Sequence, residues 1–228
     1  MSNAAQGARA RARIEVTAAI KNGARRQLAA KGAANLSLRA VARELGVATS
    51  ALYRYFPSRD DLLTALVIAA HNSLGETAES AEAAASVAGP MERWIAVCEA
   101  VRDWALAHPH EYALIVGTPI PGYTGAAATF AATRVGLVLI GVVRDAHGSP
   151  GVVKPPLPAE LRPEAVRMAA DLASDLPPEV VAALVAAWAQ LFGLVGFELS
   201  GQFHKLVEER EAFFRHAVSQ LAHAVGLV

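Results

Sequence analysis

Leu38, Val41, Ala42 and Leu45 recur at the spacing that gives a short helix one apolar face, and Gly46 follows where such a helix must stop. Glycine can take the positive φ that ends a helix within a tight turn. Thr49 and Ser50 then open a second short helix, which carries Tyr53, Arg54 and Tyr55 near its end. Helix, glycine-containing turn, helix is the supersecondary unit that places its second helix in the major groove of DNA.

Charge points the same way. Residues 1–60 hold eleven of the chain's 21 Lys and Arg but only three of its 21 Asp and Glu, a net charge of +8, so residues 61–228 carry −8. A basic head on an acidic body orients toward phosphate without coating itself in nucleic acid. A merely solubilising tail would lack apolar periodicity, yet Val16, Ile20, Ala24 and Leu28 repeat every four residues here. The basic region is therefore expected to fold.

Leu52-Tyr53-Arg54-Tyr55-Phe56, followed by Ser58-Arg59-Asp60-Asp61-Leu62-Leu63, completes the pattern. With it, residues from about 15 to 66 resemble the N-terminal domain of the TetR (tetracycline-repressor-like) family of bacterial transcription regulators. The resemblance implies a first helix from about Arg13 to Lys31 ending at Gly32, a second capped by Ser37, and a recognition helix beginning near Ala48. Thr49, Ser50 and Ala51 sit at its leading end, where short side chains let the backbone approach base edges and a methyl can touch thymine. Arg39 and Arg54 have the reach for phosphate or guanine. The resemblance also places Tyr53 and Tyr55 against the DNA backbone and Arg59 on a phosphate, and Ser37 is counted with this DNA-facing set. For Tyr53 plain packing is the competing reading, whereas Leu52 and Phe56 are assigned to the core. Ser58 and Asp61 form a capping pattern for the next helix. Two positions depart from the family: Ala48 stands where Ser or Thr is common, and Arg59 where Lys is common.

The chain is long enough for a small domain plus a larger one, or for one continuous helical body. High helix propensity and the absence of alternating strand-like runs predict an all-α fold. We expect a three-helix helix-turn-helix domain over residues 1–57. A larger helical bundle for effector binding and dimerisation follows over 58–228, entered by a connecting helix from about 59 to 82. Further helices are expected over 91–107, 110–116, 124–147, 163–172, 178–202 and 205–225, with a loop at 118–122 and an irregular excursion over 148–158. The lone Cys98 cannot form an internal disulfide and no signal peptide precedes the first helix, so a cytoplasmic location is expected. Val180–Phe197 is apolar for the length of a membrane span. Flanking Glu179 and Glu198, and the lack of an adjacent basic cluster, favour a buried interface over insertion.

Two readers about one DNA turn apart, roughly 34–36 Å, would specify a palindromic site, so a homodimer is expected. In the TetR family the last two long helices pack with their symmetry mates, which here means about 178–202 and 205–225. Arg102–Tyr112 and Gly117–Tyr123, with Trp188 and Gly193, resemble a C-terminal domain found in a subset of these regulators; Phe192 stands where that subset commonly has His. Effector sites in the family lie inside the body. Trp94, Trp104, Tyr112, Tyr123, Phe130, Arg134 and Phe192 form a mostly apolar candidate set for a small-molecule effector, each also fit for ordinary core. Arg134 wants a carboxylate, internal or supplied by the ligand. Effector binding would shift the population of head spacings and so lower operator affinity; repression is taken from the family's common mode. No HExxH, CxxC or glycine-rich phosphate loop exists, and His108-Pro-His110 is too close-set for helical metal ligation. No enzyme, metal or cofactor is expected. A constitutive DNA-binding protein without effector is the alternative, with a helical enzyme or a small-molecule-binding protein behind it.

Overall fold

A computed structural model describes residues 2–116, 126–148 and 153–228, and the side chains of these except 2–6, 9 and 126–133. Among the described residues there are ten α-helices and no strand, and the contacts divide the chain into two compact units. The predicted loop at 118–122 lies outside the described residues, as do Tyr123 and the side chain of Phe130.

The first unit comprises residues 1–70 and 110–129. It contains α1 (Ser2–Lys31), a 3-10 turn (Ala33–Asn35), α2 (Leu38–Glu44), α3 (Thr49–Tyr53), the first part of α4 (Arg59–Ala84) and, apart from Pro109, α6 (Pro109–Val116). Ile20, Ala24 and Leu28 of α1 meet Leu38, Val41 and Ala42 of α2 in a core closed by Leu52, Phe56, Leu62 and Leu66. Val16 continues the spacing but stays exposed, so the buried stripe starts one turn later than its periodicity suggests. Helix α1 itself starts at Ser2, not Arg13. The residues before Arg13 are mostly Ala and Arg, which have good helix propensity and need no core to wind.

Helix α2 ends as its sequence demands. Gly46 sits at φ 66°. Its N–H donates to Arg43 O (3.3 Å) and the Val47 N–H donates to Ala42 O (3.0 Å). These are the paired bonds of a Schellman stop, which satisfies two carbonyls the helix would otherwise leave open.

The second unit comprises residues 71–109 and 130–228. It holds the remainder of α4, then α5 (Pro90–Ala107), most of α7 (Ala126–His147), α8 (Arg162–Leu172), α9 (Pro178–Leu199) and α10 (Arg210–Ala224). Prolines open α5, α8 and α9, where a missing N–H costs nothing. Trp94, Cys98, Val101 and Ala105 form one buried stripe on α5. Residues 153–158 are irregular, as expected of the proline-rich excursion.

The last two helices are both shorter than expected. Helix α9 stops at Leu199 instead of 202, because Gly201 adopts φ 75° and a second Schellman stop brings the Gln202 N–H to Phe197 O at 2.9 Å. Helix α10 begins at Arg210 instead of 205, after Lys205 has also turned to positive φ at 62°. A non-glycine residue there is costly, so the reversal depends on its surroundings.

Replacing Gly46 by Ala would force a Cβ into the left-handed region, where open space surrounds the position but backbone strain remains. The variant is expected to lose about 1–2 kcal/mol of stability, read as a lower urea midpoint at an unchanged slope.

Candidate functional site

The exposed surface of the first unit is built around α3. Leu52 and Phe56 point into the core, and this turns Ser50, Tyr53 and Arg54 outward; Tyr53 remains 43% exposed. Thr49 and Ala51 are half-buried, and Arg39 on α2 is exposed. Ala48 provides no side-chain cap for α3, and Thr49 lies within the helix. Tyr55 is half-buried against the core, with the Arg13 guanidinium 5.6 Å from its ring centre. A ring held there has one edge in the protein and one toward solvent.

Ser37 caps α2, its Oγ accepting from the Ala40 N–H at 3.4 Å, while its own N–H donates to Oε1 of buried Gln27 at 3.2 Å. Ser58 and Asp61 pair as their spacing predicts: the Asp61 N–H donates to Ser58 Oγ (3.0 Å), and the Ser58 hydroxyl donates to Asp61 Oδ2 (2.7 Å).

Arg59 is where the geometry adds something the sequence did not suggest. Its Nη2 donates to Ala33 O (2.7 Å) and Ala34 O (3.3 Å), and its Nε to Leu36 O (3.2 Å). Three carbonyls of the segment entering α2 are thus tied to the start of α4, while Nη1 turns to Asp60. A lysine has no planar fork with which to bridge such a row. Arginine in place of the family's usual lysine was the available signal.

Helix α6 also belongs to this unit by contact. Leu114 packs against the α1–α4 core, and Arg25 of α1 donates to Glu111 at 2.9 Å, where the carboxylate is largely buried. Nothing in the periodicity of residues 110–116 reveals that partnership. Tyr112, one of the proposed effector contacts, is buried on this helix, and burial pushes its phenol pKa well up.

The other candidates with described side chains do not converge on one cavity. Trp94 is fully buried, and its indole N–H donates to Val218 O (3.0 Å), joining α5 to α10. Trp104 donates to Ser73 Oγ (3.0 Å) and stacks on His108. Phe192 lies tilted against Trp188, ring centres 5.4 Å apart. Arg134 finds its carboxylate internally. It grips Glu79 of α4 bidentately at 2.8 and 2.7 Å and donates to Asn72 O at 3.0 Å. Gly75 makes this possible, since a Cβ there would come within 2.7 Å of the Arg134 side chain. Among the described residues, no group of His, Cys, Asp or Glu could hold a metal ion.

A separate half-open cleft of about 200 Å³ lies between α7, α8 and α9. Trp188 on its wall stands out in the sequence only as part of a subgroup pattern. The cleft forms because three helices separated in sequence present small and aliphatic residues to one another.

Comparison with known proteins is consistent over most of the chain. Residues 20–66 match the family described as bacterial regulatory proteins, tetR family, and residues 94–221 match the tetracyclin repressor-like C-terminal domain. HTH-type transcriptional regulators of Mycobacterium tuberculosis and Mycobacterium bovis are 34% identical to the chain over 205 residues, 86% of each protein. The crystal structure of the regulatory protein SCO4313 is 31% identical, covers 93% of this chain and 98% of its own, and superposes with a TM-score of 0.73. A Rhodococcus protein of unknown function has the same fold at 20% identity, covering 92% of this chain and 95% of its own, with a TM-score of 0.70.

Two measurements test the contacts described. Arg59→Ala is expected to lower stability by about 1–2 kcal/mol, because three carbonyls lose a charged donor, and Arg59→Lys to restore only part of it in urea unfolding. The Arg134 hydrogen bonds hold the Glu79 carboxyl below its usual pKa, with burial opposing. A carboxylate depressed in the folded state stabilises above its unfolded pKa, near 4.5, and loses that contribution as pH falls through the folded value. Glu79→Gln should therefore melt lower than the parent at pH 7, and the gap should narrow below about pH 4.5.

Proposed function

Because the chain belongs to the TetR family of DNA-binding transcriptional regulators, we propose that it is a repressor. In this reading it binds a palindromic operator as a homodimer and leaves it when a small, largely apolar effector binds. The observation that carries the DNA half is the outward set Ser50, Tyr53 and Arg54 on a helix anchored by buried Leu52 and Phe56. We assign DNA reading to residues 1–57, and effector binding and dimerisation to 58–228. The cytoplasm, where the operator is, is the proposed location.

Helix α9 supports the dimer. It is, among the described residues, the one helix long and apolar enough to cross a membrane, yet only a third of its most apolar stretch is buried. Ala186, Ala189, Gln190, Gly193 and Phe197 form an exposed stripe along one side. Small residues there would let a second α9 approach closely, and exposed Phe213 on α10 extends the apolar surface. Burying this stripe against its symmetry mate accounts for an apolar helix in a regulator without invoking lipid.

The test is a salt titration of binding to the DNA immediately upstream of the chain's own gene, followed by gel-filtration sizing of the complex. Tight binding by a dimer, falling steeply with salt, is expected. Tyr53→Ala should weaken it. Arg54→Ala separates the two roles open to that residue. If Arg54 reads a guanine, the variant binds about 1–3 kcal/mol more weakly and its base preference relaxes. If Arg54 neutralises a phosphate, binding weakens on every sequence and the salt slope falls by about 0.9 per site. Equal affinity for a random duplex would overturn the operator reading for that DNA.

A further inference from the structure

The cleft between α7, α8 and α9 is notable for what its walls lack. Gly136 and Ile140 from α7, Leu172 from α8, and Val181, Val185 and Trp188 from α9 line it, and among the described lining residues the indole N–H of Trp188 is the one polar side-chain group. Trp188, Leu137 and Leu172 remain 40–44% exposed at the cleft, so an apolar concavity is left open to water. Concave apolar surface of this kind marks a binding place.

Its size and chemistry limit the occupant. A cavity of about 150 Å³ lined by Leu, Ile and Phe holds benzene and stays dry when empty; this cleft is about 200 Å³. A hydroxyl, amide or carboxylate placed deep inside would lose its water with at most the Trp188 indole N–H to replace it among the described lining residues. The occupant's buried portion must then be bare hydrocarbon, with any polar group left at the mouth. A second copy of the chain is a poorer fit. The exposed stripe of α9 runs through Ala186, Ala189, Gly193 and Phe197, whereas the cleft uses the flank that carries Val181, Val185 and Trp188.

We propose that this cleft is a binding site for a single hydrocarbon ring or short alkyl chain, and that it holds the effector of the regulator. The second half rests on the effector role proposed for the body. The site is not lined by the connecting helix α4, and none of Trp94, Trp104, Tyr112, Arg134 and Phe192, the effector candidates with described side chains, lines it.

Gly136 provides the means of testing it. An added Cβ there meets nothing within 4 Å, so leucine can fill the cleft from the α7 wall without a backbone clash. Helix propensity favours the change as well. Val185→Phe fills the cleft from the α9 wall and serves if the first variant folds poorly.

Toluene is the probe, with thermal unfolding of the full chain as the first readout and operator affinity as the second. Near its solubility limit toluene is expected to raise the Tm of the parent by about 3–6 °C, and to leave both filled variants unmoved. It should also weaken the operator complex of the parent severalfold and not that of the variants. No shift in the parent overturns the site, whatever the DNA binding proves to be. A shift without any change in operator affinity overturns the effector assignment alone. If Gly136→Leu abolishes the dimer in gel filtration instead, the cleft belongs to a second copy and the proposal fails. Absence of operator binding before toluene is added would sink the repressor reading, while the thermal shift still decides the cleft.

Discussion

Helix α3 is five residues long, far too short to persist in water by itself. The surface proposed to meet DNA therefore depends on contacts made elsewhere in the first unit. Leu52 and Phe56 anchor it from below, and Gly46 sets the turn that aims it. Arg59 ties the start of α4 to the carbonyls of residues 33, 34 and 36. The polar groups that face outward can then be few and short, because position has already been fixed by groups that face inward. A recognition element of this kind is read by substituting its anchors as much as its contacts.

The second unit is held by a different balance. Its helices are rich in Ala and Val, so they approach closely, and arginine–carboxylate pairs cross between them. Arg102 grips Glu198 bidentately, both bonds 2.7 Å, and also lies over the Phe214 ring. Arg215 of α10 reaches Glu99 of α5 at 2.7 Å. Arg134 and Glu79 do the same for α7 and α4. Pairs as buried as Arg102–Glu198 add little net stability over apolar replacements, but breaking one leaves an isolated charge, so they fix which helix faces which. Where neither a charge pair nor a large side chain fills the gap, beside Gly136, a cleft remains.

Legibility in the sequence follows the range of the interaction. The Gly46 stop and the Ser58–Asp61 cap are settled within a few residues, and spacing predicts both, while the Ser37 cap and the burial of Leu52 and Phe56 are as local but are read with the resemblance in hand. The missing cap at Ala48 is equally plain. The ends of α9 and α10 differ from expectation because Gly201 and Lys205 adopt positive φ together, and only the glycine advertises it. Resemblance assigns Arg59 to phosphate, whereas its carbonyl partners lie 23 to 26 residues away. The attachment of Glu111 to Arg25 spans 86 residues, and no local pattern encodes it. Aromatic residues stand out as effector contacts because they are large and rare here, yet Trp94 and Trp104 are spent on the core. The open cleft is lined mainly by residues too ordinary to stand out.

If the cleft holds the effector as proposed, helix α4 is the element through which the chain leads from the first unit to the second. It is one continuous helix of 26 residues, beginning in the first unit at Arg59 and continuing past Ala70 into the second. Arg134 pins α4 to α7 at Glu79, with Gly75 leaving no slack for the guanidinium stem. Gly136, two residues along α7, opens onto the cleft. A ligand wedged between α7 and α9 would load the same turn of α7 that holds α4. A coupling of this form requires differential affinity for two arrangements of α7 and nothing more.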